Sequence, residues 1–263
     1  MLPVKHIVLL GAGNLAVHLS RALARKGYAI VQVYNRTAER GRKMARLFHT
    51  EYTANLSTLI PDADLYILVV SDSAIAEVAA GMKIRNGLVV HTSGSVPLQA
   101  LAGTSVHYGV FYPLQTFRGA RRITFSNIPV CVEANSPDGE ATLVHLAGQL
   151  TTRICRFTSE QRLVLHLAAV FAGNFSNFMY AIAEELLKQH GIPFDLLKPL
   201  IRQTTANIDH PGLFSRQTGP AVREELRILE AHRDLLEEFG DYREIYHLIS
   251  NSIIRQKRQY DQL

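Results

Sequence analysis

The chain is poor in several features that would decide its class at once. Only two of its 263 residues are cysteines, Cys131 and Cys155. Each lies in a strand-like run, 129–132 and 153–157, and neither has metal-ligand spacing. Buried, reduced thiols are expected and no metal site. No run of about 18 apolar residues appears, so no membrane span is expected. The apolar segment Val4–Leu10 is too short for a secretory signal and runs straight into a glycine turn, which predicts a soluble cytoplasmic protein. Internal repeats, long linkers and low-complexity tracts are also missing. Nor is there a block of one charge: the net charge is +5 and the basic residues are dispersed. The densest basic stretch, Arg255, Lys257 and Arg258, reads as a solvated helix end, so no nucleic-acid partner is expected. What is present is an ordinary globular balance, 47% hydrophobic and 19% charged, in a chain long enough for two domains.

The first part of the chain alternates strand and helix signals. Lys5–Leu10 is an unbroken apolar run of the kind that parallel sheets bury on both faces. Leu15, Leu19, Ala22 and Leu23 follow at helical spacing. Ala29–Tyr34, Leu65–Val70, Gly87–His91, Ile128–Glu133 and Arg153–Phe157 read as further strands. Thr37 is placed to cap a helix carrying Met44, Leu47 and Phe48, and residues 73–82 read as a crossover helix. Ser136-Pro137 starts another helix, with serine as cap and proline at the first position. Such alternation defines a doubly wound α/β domain, here residues 1–157. Beyond it strand signals vanish. Thr158-Ser-Glu-Gln161 is a capping box that opens a long helix with Leu163, Leu167, Phe171, Phe175, Phe178 and Ile182, stopped by Gly191 and Pro193. Further helices fit 194–207, 220–238 and 242–259. Residues 158–263 are therefore expected to form an all-α domain.

The most informative segment is Gly11-Ala12-Gly13-Asn14-Leu15-Ala16, a G-x-G-x-x-A pattern between a strand and an amphipathic helix. In that position Gly11 allows the tight turn, Gly13 leaves the approach to a pyrophosphate clear, and Ala16 lets the helix pack on the sheet. The free N–H groups at the helix start then favour the phosphates. The segment predicts a dinucleotide site. The second strand decides which dinucleotide. An NAD site carries Asp or Glu about 20 residues on, for the ribose 2′-hydroxyl. Here the strand ends in Tyr34-Asn35-Arg36-Thr37. Asn35 removes the carboxylate that would repel a 2′-phosphate, Arg36 offers a planar fork of donors, and Thr37 adds a hydroxyl. NADP is the expected cofactor. Ligands of open α/β sheets sit beyond the carboxyl ends of the strands, so the loops at Val70-Ser71 and Thr92-Ser93 are expected to border the same cofactor.

The fingerprint, the Asn-Arg-Thr ending and three later segments resemble one family. The segments are Gly109-Val-Phe-Tyr-Pro-Leu-Gln-Thr-Phe117, His166-Leu-Ala-Ala-Val-Phe-Ala-Gly-Asn174-Phe-Ser-Asn177 and Gln217-Thr-Gly-Pro-Ala-Val-Arg223. The family joins an NADP-binding Rossmann domain, similar to that of pyrroline-5-carboxylate reductase, to a helical domain of unknown function. The resemblance implies an NADP-dependent oxidoreductase and names no substrate. Glu224-Glu225 departs from the pattern expected after Arg223. The wider superfamily, which includes 6-phosphogluconate dehydrogenase, carries a catalytic Lys and Asn one turn apart on the long helix. Asn174 is present, but Val170 stands where that Lys would be, so the usual lysine acid/base is missing.

Projected at about 100° per residue, Arg162, His166, Gly173, Asn177, Tyr180 and Glu184 share one narrow face of the long helix, with Asn174 beside it. Such a stripe predicts a wet cleft, with His166 as proton carrier and Asn174 or Asn177 orienting a substrate. Gln115 and Thr116, in a loop expected over 107–116, and Arg223 are further candidate substrate contacts. A hydride-transferring oxidoreductase acting on a small carbonyl, imine or hydroxy compound is the first expectation. A protein that senses NADP(H) without turnover is the alternative, favoured by the missing lysine. The apolar helical domain is expected to form a homodimer.

Overall fold

The computed structural model describes residues 1–118 and 123–262 and divides into two compact units, 1–175 and 176–263. The first holds an eight-stranded sheet: β1 (His6–Leu10), β2 (Ala29–Tyr34), β3 (Glu51–Thr53), β4 (Leu65–Leu68), β5 (Leu88–His91), β6 (His107–Pro113), β7 (Val130–Ala134) and β8 (Ile154–Arg156), in the spatial order β3-β2-β1-β4-β5-β6-β7-β8. All neighbours are parallel except β6 and β7. The order reverses direction between β1 and β4, which is the switch point of a Rossmann sheet.

Both faces of the sheet are covered, which explains the unbroken apolar strands. Ile7 and Leu9 of β1 join one core with Leu19 and Leu23 of helix α1 (Asn14–Ala24), Met44 of α2 (Ala38–Leu47) and Leu143 and Leu146 of α4 (Pro137–Gly148). Val8 and Leu10 point the other way, into a second core with Ile75, Val78 and Ala79 of α3 (Asp72–Ala80). The period of two along a strand sends alternate residues to opposite layers, so a strand buried on both sides must be apolar throughout. Ser136 caps α4 as its sequence suggests, its hydroxyl accepting from the Gly139 amide at 3.2 Å. Thr37 takes the corresponding position before α2 without a side-chain bond. Cys131 is buried, Cys155 is half-buried, and both are free thiols facing each other in register across β7 and β8.

Two expectations for this unit need correction. Residues 107–116 are not simply a loop, because 107–113 form β6, with buried Val110 and Phe111. Gly109 and the terminal Pro113 disguised it, and its antiparallel partner β7 lies 17 residues further along the chain even at the closest pair, Pro113 with Val130. The long helix is also interrupted. α5 (Ser159–Ala169) opens with the expected capping box, then gives way to a π-helical turn (Val170–Phe175) before α6 (Ser176–Gln189). A π turn closes i→i+5 bonds, so residues on either side of it lose the common phase that a uniform helix would give. The single polar stripe from Arg162 to Glu184 therefore does not exist as projected. Together α5, the π turn and α6 are long and apolar enough to cross a membrane by length and composition only.

The second unit contains α6, α7 (Lys198–Ala206), α8 (Leu226–Leu235) and α9 (Asp241–Tyr260). Residues 220–225 do not belong to α8 as their sequence suggests. They form turns after Gly219, and Glu224 adopts φ 51°, which stops helix propagation toward the N-terminus. Tyr242 donates to Glu185 at 2.6 Å and stacks edge-on with Phe178. Among the unit's described residues only Ala221, Leu229, Leu236 and Ser250 are fully buried.

Candidate functional site

The carboxyl ends of β1, β2 and β4 enclose a pocket of about 270 Å³. Gly11, Ala12, Gly13, Asn35, Arg36, Thr37, Val70 and Ser71 all line it. Gly11 sits at φ +125°, and a Cβ there would lie 2.1 Å from the Val69 carbonyl oxygen, so both the turn and the packing demand glycine. Gly13 differs in kind. A Cβ on it would meet nothing within 4 Å, which leaves clear space directly before the first turn of α1. Asn14 and Leu15 lie in that first turn rather than in the pocket lining; the Asn14 side chain donates to the Phe117 carbonyl at 3.1 Å.

At the other end of the pocket the Asn35 side chain donates to the Thr37 carbonyl at 2.7 Å, and Tyr52 donates to the Asn35 carbonyl at 3.0 Å. These bonds hold the strand end while the exposed Arg36 side chain has no ion-pair partner among the described residues. Arg40 lines the same pocket and was missed by the sequence reading. Its signal was available: it lies in the first turn of α2, which starts directly after the Asn35-Arg36-Thr37 ending. Open space at Gly13, a helix start behind it and two unpaired guanidinium groups fit a pyrophosphate with a third phosphate. Glu77 is the single acidic residue of the lining.

Thr92 and Ser93 follow β5 but are buried, and their hydroxyls are engaged within the chain. Thr92 donates to the Leu68 carbonyl at 3.3 Å, and the Ser93 oxygen accepts from the amides of Ser95 and Val96 at 3.1 and 3.0 Å. They shape the turn; Ser95 then donates to Asp72 at 2.6 Å, tying the loop after β5 to the start of α3.

A second group of side chains gathers at that loop. Arg162, expected in a wet stripe, is 1% exposed. It donates to the carbonyls of Ser93 and Val96 at 2.9 and 2.8 Å, and to Glu133 of β7 and Ser159 at 3.1 Å each. Arg162 therefore clamps α5 onto the sheet instead of facing a cleft. One turn later the half-buried His166 places Nδ1 3.1 Å from the Tyr112 hydroxyl of β6. Both rings press on Gly94, where a Cβ would lie 2.6 Å from His166 Nδ1 and 2.8 Å from the Tyr112 ring. Burial, with the neighbouring Cys131 and Asp72, pushes the Tyr112 hydroxyl up to about 12, so it remains a phenol at neutral pH. His91, fully buried beside Arg162, is held down to about 4 by burial and then by that positive charge. In the sequence Tyr112 lies within the Gly109–Phe117 segment, and nothing there signals that it meets Gly94.

The remaining candidates fall each in its own unit. Asn174 lies exposed in the π turn, and Asn177 is exposed on α6 of the second unit. Gln115 and Thr116 are exposed just after β6, where the Gln115 side chain accepts from the Thr116 amide at 2.8 Å. Arg223 is paired with Glu225 through two bonds of 2.8 and 2.9 Å. The departure from the family pattern at Glu224-Glu225 thus supplies an internal carboxylate in place of the substrate carboxylate that Arg223 was expected to bind. Among the described residues no group of three or more His, Cys, Asp or Glu could hold a metal ion.

This arrangement has relatives. Residues 128–253 match a domain of unknown function, DUF2520, and residues 1–85 match the shikimate / quinate 5-dehydrogenase family. No curated protein matches the chain. A crystal structure of a Bacteroides fragilis protein, provisionally described as an NADP oxidoreductase, is 44% identical over 96% of this chain and 98% of its own, with a TM-score of 0.89. The chain belongs to the same family as that protein, a Rossmann domain joined to a DUF2520 helical domain. An imine reductase from Aspergillus terreus, solved with NADPH4 and a dibenzazepine, shares the fold at 17% identity, covering 97% and 94% of the two chains with a TM-score of 0.68. Pyrroline-5-carboxylate reductase from Streptococcus pyogenes does so at 16% identity, 97% and 99% coverage and a TM-score of 0.58.

Proposed function

We propose that this chain is an NADP(H)-dependent oxidoreductase acting on a small carbonyl, imine or hydroxy compound. The observation that carries the reading is the pocket at the switch point, open at Gly13 and lined at its far end by Arg36 and Arg40, which have no ion-pair partner among the described residues. The Bacteroides fragilis relative's description as an NADP oxidoreductase supports it, as does the complex with NADPH4 of the imine reductase sharing its fold. The bound nicotinamide would supply or accept the hydride. The chain's own residues bind the phosphates along Gly11–Leu15 and the 2′-phosphate with Asn35, Arg36, Thr37 and Arg40. His166 moves the proton at the reacting atom, since an imidazole exchanges protons near neutrality and the site carries no lysine at Val170.

The test is a screen of NADPH oxidation against small oxo-acids and cyclic imines, with His166→Ala as the control. Turnover that falls by about 10²-fold or more in the variant supports the role, the usual weight of a general acid. The missing lysine favours a second reading, an NADP(H) sensor: tight NADPH binding, no turnover with any compound and indifference to His166→Ala would establish it. The second unit buries so few residues by itself that a second copy of the chain is proposed to complete its core, a dimer that light scattering reads directly. The Arg162 clamp sets α5 on the sheet of the first unit, which argues for a cytoplasmic protein and against α5–α6 as a membrane span.

A further inference from the structure

We infer that Tyr112 holds neutral His166 in the tautomer with its proton on Nε2, so that the ring meets its ligand as a hydrogen-bond donor. A carbonyl oxygen or an imine nitrogen can only accept a hydrogen bond, and a donor at Nε2 matches it. This rests on the reading of His166 as the group that faces the reacting atom.

Three observations converge on the tautomer. The Tyr112 hydroxyl lies 3.1 Å from His166 Nδ1, and the two rings meet edge to face with centroids 6.0 Å apart. Neither the hydroxyl nor Nε2 has another hydrogen-bond partner among the described residues. A hydroxyl can give its proton or receive one, whereas a bare imidazole nitrogen can only receive. With its phenolic proton firmly held, Tyr112 has Nδ1 as its one acceptor, and donating there places the ring proton on Nε2.

Gly94 is the second observation. A Cβ would come within 2.6 Å of Nδ1 and 2.8 Å of the tyrosine ring, so the absence of a side chain at this position is what lets the pair close. The third is the Arg162 clamp one turn earlier on α5. Bonds to two carbonyls of the loop containing Gly94, and to Glu133 of the strand beside β6, fix both the rotation of α5 and the height of His166 above that loop. Tyr112 is thus a positioning residue: it acts through the histidine and is not required to touch the substrate.

The full-length protein labelled with ¹⁵N-histidine tests this without turnover. In its neutral form, His166 should show a protonated Nε2 and a bare Nδ1. Tyr112→Phe should raise the share of the Nδ1–H tautomer by roughly two- to tenfold, the weight of one neutral hydrogen bond. Gly94→Ala, which displaces the ring by a different route, should do the same, and covers the case in which the phenylalanine variant fails to fold. A proton on Nδ1 in the unmodified protein, or a tautomer ratio unmoved in the folded variants, overturns the inference. Unchanged turnover in His166→Ala would instead overturn the catalytic role alone, while the tautomer result stands.

Discussion

Arg36→Ala separates a phosphate-reading site from an ordinary surface arginine. Arg36 is exposed at the end of β2, lines the switch-point pocket and carries no internal ion pair among the described residues, so removing it leaves the fold without an orphaned charge. A hydrogen bond to a charged group is worth about 1.5–3 kcal/mol net, and exposure to solvent and salt pulls the value toward the lower end. Because about 1.4 kcal/mol corresponds to a tenfold change, NADPH affinity should fall roughly ten- to a hundredfold. NADH lacks the 2′-phosphate, and its affinity should change by less than about threefold. Arg40 lines the same pocket four residues on, so Arg40→Ala should repeat the pattern with a smaller loss, and the double variant should show coupling between neighbours. Isothermal titration of both nucleotides at fixed ionic strength gives all eight affinities. Equal losses for NADPH and NADH, or none for either, would refute the assignment of this end of the pocket to a phosphate.

Two further outcomes follow from the buried charges. Arg162→Met strands the partly buried Glu133 carboxylate and should cost about 3–5 kcal/mol, whereas Arg162→Met combined with Glu133→Leu should recover much of it; thermal denaturation of the two variants beside the unmodified protein measures the difference. His91 is neutral in the fold with its value depressed to about 4, so its contribution is complete above the unfolded value near 6.5 and is lost as pH falls from there toward 4. The loss reaches about 3 kcal/mol at full extent, and His91→Gln should flatten that limb of a stability-against-pH curve.

How much of this was legible follows from the distance over which each feature is decided. The β1–Gly11–α1 unit and the Asn35-Arg36-Thr37 ending are local: a glycine turn, a helix start and a strand end lie within a few residues of one another, and the structure gathers most of them in one pocket. Strand β6 was harder, because Gly109 and Pro113 are poor strand formers and what holds the segment is pairing with β5 and β7. The π turn is harder still, since no residue type demands an i→i+5 bond and the helical projection presupposes its absence.

Arg162 shows most clearly where a helical projection stops. Its angle on α5 was readable, but the angle does not say whether water or the sheet lies on that side. The answer depends on Glu133, Ser93 and Val96, which lie 29, 69 and 66 residues away in the chain. A guanidinium can be buried there only because two carbonyls and a carboxylate are already aimed at it; without them the same helix face would have to turn to solvent. The cluster therefore explains its own illegibility. The residues that make α5 dock are those of the loop after β5 and of β7, and the same docking brings His166 to Tyr112 over Gly94. The face read from its helical angle alone thus contained two different things: a structural clamp at Arg162 and, one turn on, a histidine held by Tyr112.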